Sequence, residues 1–229
     1  MHRIAVVRPA GKIGLTKLTR LPAGEPTVWE IVVHGLPRPG LASGVAMWRL
    51  KNLPNLCRGA WRVLLARLWR IPVHYGVLYL EKIDGLTGAR TQYGMVSMRV
   101  VTTAGVNFIR DAFLGTPNLS NMKYHGFGTG TAAEAIGDTG MGTEFTTEYA
   151  TDNVRPTGSQ VAQATGDYRT VGTFAPDSGG TLAVTEHGVF SATSSVTLLD
   201  RSKFAAVNLI AANGDSLQAT YDFVVTSGG

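Results

Sequence analysis

Cysteine and charge are both scarce in this sequence of 229 residues. The only cysteine is Cys57, so the chain cannot form an internal disulfide or a zinc site of paired cysteines. The five histidines are far apart, with no HxH or HxxxH spacing, and they predict no metal site. Charged residues make up 16% of the chain, whereas about 25% is usual for soluble domains. A surface with so few charges favours a protein that neighbouring subunits largely cover.

Long apolar runs are also missing. No stretch of 18 residues is free of charge and apolar enough to span a membrane as a helix. The longest candidate, residues 59–73, carries Arg62, Arg67 and Arg70. The first residues lack the apolar core of a secretion signal. We therefore expect no membrane partner and production in the cytoplasm.

The charges that are present are unevenly divided. Residues 1–73 hold 12 Lys/Arg and 2 Glu, a net charge of +10, and residues 74–229 hold 9 Lys/Arg and 14 Asp/Glu, a net charge of −5. We divide the chain accordingly into a basic N-terminal arm, 1–73, and a body, 74–229. The arm is expected to bind an acidic partner: nucleic acid, a membrane surface or an acidic patch on a protein. Its arginines are spread along the arm and not clustered, which favours protein contacts without nucleic-acid specificity.

The arm is predicted to be extended, because six of the ten prolines lie within residues 1–55. Residues 56–71 are the exception and predict one amphipathic helix. Its apolar stripe consists of Trp61, Leu64, Leu65, Leu68 and Trp69. Such a stripe is typical of a helix that packs on its own body or on a sister subunit, and a membrane-surface or nucleic-acid helix is the alternative. Aromatic and arginine side chains dominate interface energetics, so the candidate partner-binding residues are Trp29, Trp48, Trp61, Trp69, Arg62, Arg67 and Arg70.

The body reads as mainly β. Two strand-like runs around the turn sequence DGLTG predict a hairpin. A short helix follows, with Thr102 or Thr103 as its N-cap, Gly115 at its end and an apolar face of Val106, Ile109 and Phe113, which Phe108 can extend. Further strand-like runs are residues 123–128, 144–150, 160–165, 168–175, 182–192, 196–201, 204–211 and 216–226. Their short, regular spacing predicts an antiparallel β-sandwich, jelly-roll-like, with one short helix before it.

The Gly/Thr run at residues 126–131, GFGTGT, has the composition of a phosphate-binding loop. It lacks the lysine of a P-loop and opens no helix of a βαβ unit, so we interpret it as a place where strands pass closely. Glu186 and His187 are neighbours in a strand and point to opposite faces, and Cys57 has no histidine nearby. We therefore expect no catalytic residue, no cofactor and no enzymatic activity.

Four motifs follow one another along the body. They are YGMVSMRVVTTAGVNFIRDAF (93–113), NMKYHGFGTGTAAEAIGDTGMGTEFTTEYATDNVRPTGSQ (121–160), TEHGVF (185–190) and DSLQATYDFVV (215–225). In this order they resemble a group of small tailed-bacteriophage virion proteins. The resemblance covers residues 93–225, and residues 1–73 carry none.

The resemblance implies a non-enzymatic virion structural protein that assembles in the host cytoplasm. Its first expectation is a capsid decoration or cement protein that stabilises the assembled shell and uses its N-terminal arm to contact neighbouring subunits. The implied partners are the major capsid protein or other virion proteins, and further copies of the chain in a homo-oligomer. The alternatives are a tail, baseplate or fibre-associated protein and a host-surface carbohydrate-binding module, which the small number of aromatic residues in the loops makes less favourable.

Overall fold

The computed structural model describes residues 43–69, 71–150, 153–164, 166–194 and 196–226. Within these ranges the chain forms two helices and eight strands. In chain order they are α1 (Ser43–Leu68), β1 (His74–Ile83), β2 (Arg90–Val100), α2 (Thr103–Phe113), β3 (Tyr124–Gly128), β4 (Ser159–Ala164), β5 (Asp167–Phe174), β6 (Thr181–Phe190), β7 (Leu198–Ile210) and β8 (Ser216–Val225). Short 3-10 turns occupy Leu119–Asn121 and Ala211–Asn213.

The strands form two antiparallel sheets. The larger sheet has the order β2-β1-β8-β5-β4 and the smaller one has the order β3-β6-β7. One apolar cluster takes side chains from both, among them Leu80 and Leu217 of the larger sheet and Phe127 and Val207 of the smaller. The sheets therefore share a core in a sandwich-like arrangement, and the prediction of a mainly β fold is confirmed for the described residues.

Most of the predicted body elements are present, with three corrections. Residues 144–150 form no strand, since only Glu144 and Tyr149 make isolated bridges. The runs 196–201 and 204–211 are one strand, β7, because its pairing with β6 continues through Ser202 and Lys203. In α2, Phe108 is the buried aromatic residue, whereas Val106 and Phe113 are exposed.

Helix α1 differs most from its prediction. It begins at Ser43 and not at residue 56, ends at Leu68 and contains Pro54. A proline inside a helix removes one backbone hydrogen bond, so its neighbours must hold the turns together. Asn52 and Asn55 do so by bonding to strands of the body: Asn52 to Val96 and Ala205, and Asn55 to the carbonyl of Lys203. Residues 43–55 therefore belong to a docked helix and not to an extended arm, and residues 1–42 lie outside the described part.

The position of α1 is set by two edge strands from different sheets, β2 and β7. The Asn52 amide nitrogen donates to the carbonyl of Val96 in β2, and its oxygen accepts the N–H of Ala205 in β7 at 3.2 Å. The indole nitrogen of Trp48 donates to the carbonyls of Ala205 and Ala206 at 2.8 and 2.9 Å. An uncovered sheet edge leaves backbone groups without partners, so α1 closes this side of the body.

Candidate interaction surface

Helix α1 exposes an apolar surface on the side that faces away from the body. The exposed fractions are 57% for Met47, 46% for Leu50, 59% for Trp61 and 72% for Leu68. Leu65 adds to the same side, and Trp69 and Ile71 are exposed just after the helix. Soluble monomers seldom expose contiguous apolar patches larger than a few hundred Å², and such patches usually mark sites of interaction.

The opposite side of α1 packs on the body. Leu56, Ala60 and Val63 are buried in a cluster with Tyr75 and Met98. At 3.6 residues per turn, Leu56 and Val63 lie about opposite Trp61 and Leu68 on the helix. The helix thus packs on its own body, which is one of the two packings predicted for it. It does so, however, through the face of Leu56, Ala60 and Val63 and not through the predicted stripe. The stripe that the sequence pattern singled out faces outward.

Close contact on the buried side depends on a glycine. A Cβ atom at Gly59 would overlap the carbonyl oxygen of Met98 in β2. The helix therefore approaches the strand at backbone distance at this point. By local propensity Gly59 is only a weak helix former, although its lack of a side chain decides which face of α1 is inside.

The outward surface is flanked by positive charge. Lys51, Arg58 and Arg62 are exposed, and α1 contains no Asp or Glu to neutralise them. An apolar stripe beside cations suits a partner that presents apolar side chains next to acidic ones, since complementary charge sets orientation and association rate.

The predicted partner-binding residues fall into three groups. Trp61, Trp69 and Arg62 lie on the outward surface. Trp48 does not: its side chain is 8% exposed and holds α1 to β7, so the expectation that it contacts another subunit is corrected. Trp29, Arg70 and the side chain of Arg67 lie outside the described part.

The Gly/Thr run at residues 126–131 packs against the buried side chain of Glu186. The Glu186 carboxylate accepts the backbone N–H groups of Gly130, Gly142 and Thr143 at 2.9, 3.0 and 2.7 Å, and it pairs with Arg201 at 2.8 Å. A Cβ atom at Gly130 would overlap this carboxylate. The glycines therefore let the loop after β3 fold closely over Glu186. This agrees with the interpretation of the Gly/Thr run as a place of close packing.

Two histidines that are distant in sequence meet in the core. His125 Nδ1 lies 2.9 Å from His187 Nε2, and His125 Nε2 lies 3.1 Å from the Thr170 hydroxyl. Burial lowers the pKa of His125 to about 3 and the pKa of His187 well below its usual value, so both rings are neutral. They are 62 positions apart in the sequence, so no local pattern signals this pair. Among the described residues no group of three His, Cys, Asp or Glu side chains is placed to hold a metal ion.

A third buried polar group is Asp200. Burial raises the pKa of its carboxyl to about 7, and the nearby positive charge of Arg99 acts in the opposite direction. Gly76 leaves the space that this carboxyl and the Tyr221 hydroxyl occupy, since a Cβ atom there would overlap both. Asp200 therefore lies in an enclosed site with internal neighbours.

A separate apolar cleft of 610 Å³ lies between α2 and the β4–β5 hairpin. Its walls include Ile109, Met122, Val161, Phe223 and Val225. In the described part of the chain, the outer edge of β4 pairs with no other strand. Apolar walls with few polar groups suit an apolar side chain better than a strongly hydrated ligand.

Comparison with models of known protein families found no match, and a search of curated protein sequences also found none. Within the described ranges, neither helix combines the length and the hydropathy that crossing a membrane requires.

Proposed function

We propose that this chain is a non-enzymatic structural protein of a tailed-bacteriophage virion, with a jelly-roll-like β-sandwich as its body. In this proposal it is a capsid decoration or cement protein that binds the major capsid protein or other virion proteins on the assembled shell. The observation that carries the proposal is the outward surface of α1, with Trp61 and Leu68 exposed beside Arg58 and Arg62. The motif order over residues 93–225 supports the phage assignment.

The physical basis is linkage between binding and assembly. A subunit that binds only the assembled shell stabilises that state, by about 2.7 kcal/mol per site at a free concentration of 100 times Kd. Two exposed tryptophans provide the kind of aromatic anchor that dominates interface energies. The flanking cations orient the chain on an acidic patch, and the basic residues of 1–73 add contacts to neighbouring subunits.

The state of the buried polar groups supports a role without catalysis. Glu186 is occupied by Arg201 and three backbone N–H groups, and Glu144 forms an ion pair with Arg155. The buried imidazoles of His125 and His187 bond to each other. Catalytic groups usually face a cleft where a substrate can reach them. The 610 Å³ cleft is lined instead by mostly apolar side chains.

The test is to count this chain in purified particles of the phage that encodes it, relative to the major capsid protein. A decoration protein is present in hundreds of copies, whereas a tail, baseplate or fibre component is present in few. Particles stripped of the chain should bind the purified protein again, and Trp61→Ser should weaken rebinding while Ala133→Ser, in an exposed loop, should not. A low copy number would favour the tail alternative, and absence from the particle would refute the proposal.

A further inference from the structure

We infer that the outward surface of α1 pairs with α1 of a second copy of this chain, as two parallel helices related by a two-fold axis. The inference rests on the proposed function for its biological setting: the apolar seam pairs two copies, and the flanking Lys51, Arg58 and Arg62 stay exposed beside the seam for an acidic patch on the shell. The physical argument comes from the spacing, exposure and charges of α1 itself.

The outward residues of α1 follow a coiled-coil repeat. Apolar side chains recur at alternating intervals of three and four residues across 22 residues: Met47, Leu50, Pro54, Cys57, Trp61, Leu64 and Leu68. All are exposed except Leu64, which is half-buried. A helix needs only one apolar stripe to pack on its own body, and α1 already has that stripe on its other side. A second stripe at this spacing is typical of a seam against another helix.

The exposed area is large enough for a dimer. The large apolar side chains in or directly beside the seam are Met47, Leu50, Trp61, Leu65 and Leu68. With Pro54 and Cys57 they expose on the order of 600 Å² in one copy, so a pair would bury on the order of 1,200 Å², above the roughly 1,000 Å² expected of a specific interface. Two such surfaces can bury each other, because a two-fold axis brings the same patch of both copies together.

Charge selects the parallel arrangement. Lys51 and Arg58 directly follow the seam residues Leu50 and Cys57. In a parallel pair these flanking positions meet Ala46 and Leu53 of the second copy, over which their aliphatic stems can pack. In an antiparallel pair Lys51 meets Arg58 of the second copy, and like charges repel.

The single cysteine of the chain provides a direct probe. Cys57 is exposed and occupies a seam position near the middle of α1. A parallel two-fold pair places it beside Cys57 of the second copy, where side chains are close enough for a disulfide to form under oxidation. Every other seam residue likewise lies beside the same residue of the second copy.

The experiment is oxidative cross-linking of the full chain at micromolar concentration, read on a non-reducing gel. The native chain should form a covalent dimer and Cys57→Ser should not. In the Cys57→Ser background, Leu50→Cys and Trp61→Cys should each cross-link with themselves. Both should react at least about tenfold faster than Ser159→Cys, since pairing raises the local thiol concentration. Ser159 is exposed in β4, at the opposite edge of the larger sheet from β2 and α1, and serves as the collision control.

Three outcomes decide the inference. Self-linking at positions 50, 57 and 61 supports it. Cross-linking of Leu50→Cys only when it is mixed with Trp61→Cys means an antiparallel pair and overturns it. Rates equal to that of Ser159→Cys, with a monomeric mass by sedimentation, also overturn it.

A second variant separates this inference from the proposed function. Leu50→Glu places a charge in the seam and should convert the dimer to a monomer, while the free energy of unfolding at low protein concentration stays unchanged, since Leu50 is not part of the core. A wild-type chain that is monomeric yet rebinds stripped particles would refute the pairing and leave the proposed function intact. A seam-linked dimer that is absent from the particles would refute the function and leave the pairing intact.

Discussion

Trp48 and Trp61 lie on opposite faces of the same helix. Trp48 is 8% exposed, donates to the carbonyl of Ala205 at 2.8 Å and packs against Tyr93 with ring centroids 4.6 Å apart. Trp61 is 59% exposed. They are thirteen positions apart, which corresponds to about three and a half turns and reverses the direction of the side chain. Helix α1 therefore has one side that holds the body together and another that is free for a partner.

Substitution of the two tryptophans should change stability by very different amounts. Trp48→Ala is expected to lower the free energy of unfolding by about 3–5 kcal/mol, because a buried indole and its hydrogen bond are lost. Trp61→Ala should change it by no more than about 0.5 kcal/mol. Urea unfolding at low protein concentration, where association does not contribute, measures both. Equal losses would mean that the outward surface is covered by the chain itself.

Gly59 and Gly44 form a second matched pair within α1. Gly59→Ala should destabilise the protein by about 1–3 kcal/mol or more, because the added methyl group overlaps the carbonyl of Met98. Gly44 has open space around its Cβ position, so Gly44→Ala should leave stability unchanged or raise it by up to about 1 kcal/mol. Thermal melting, together with proteolysis of α1, checks the pair. A neutral Gly59→Ala would contradict the docking of α1 on β2.

Glu186 should be the most important carboxylate for stability. Glu186→Gln removes a buried charge that Arg201 and three backbone N–H groups require, and we expect a loss of about 3–5 kcal/mol. Hydrogen exchange should increase across residues 129–143, which the carboxylate holds in place. Glu81→Gln is the control, because its ion pair with Arg90 is at the surface and contributes at most about 1 kcal/mol. Unaltered exchange in the loop would refute this role.

Asp200 should make the protein less stable as pH rises. Its pKa is raised from 3.8 to about 7 in the folded state, so between these values the folded protein retains a proton that the unfolded chain releases. The stabilisation is complete below pH 4 and is lost as pH rises to about 7, an effect on the order of 4 kcal/mol. Asp200→Asn remains neutral, so its stability relative to wild type should increase from pH 4 to pH 8. A constant difference between the two unfolding curves would exclude a raised pKa.

The buried histidines should act in the opposite direction. The pKa of His125 falls from 6.5 to about 3 on folding, so the unfolded chain takes up a proton that the folded protein does not. Stability from this group is complete above pH 6.5 and is lost as pH falls from 6.5 toward 3. His125→Gln should therefore be less stable at neutral pH, because it disturbs the bonds to His187 and Thr170, and less sensitive to acid than wild type. Unfolding measured at several pH values checks the slope, and an acid sensitivity equal to that of wild type would contradict the prediction.

Local rules predicted the elements whose cause is local. Thr102 caps α2 by accepting the N–H of Gly105, three residues away, and the DGLTG turn joins β1 to β2 as expected. The errors occur where partners are distant in sequence. The single strand β7 continues through residues 202–203 because β6 pairs with them, and α1 continues through Pro54 because Asn52 and Asn55 bond to strands about 150 residues away.

The sequence by itself determined the mainly β character of the body, the presence of a short helix and the presence of an amphipathic cationic helix near the N-terminal end of the body. These follow from turn residues, alternation and helical spacing, all of which act within a few residues. The predicted place of the short helix was wrong, because it follows β1 and β2 of the larger sheet and does not precede the sandwich. Only the tertiary structure decided which stripe of α1 is inside, because both stripes are apolar and the choice depends on how closely Gly59 can approach β2. It also brought His125 to His187 and Glu186 to the loop of Gly130, since strand pairing joins residues that no local pattern relates.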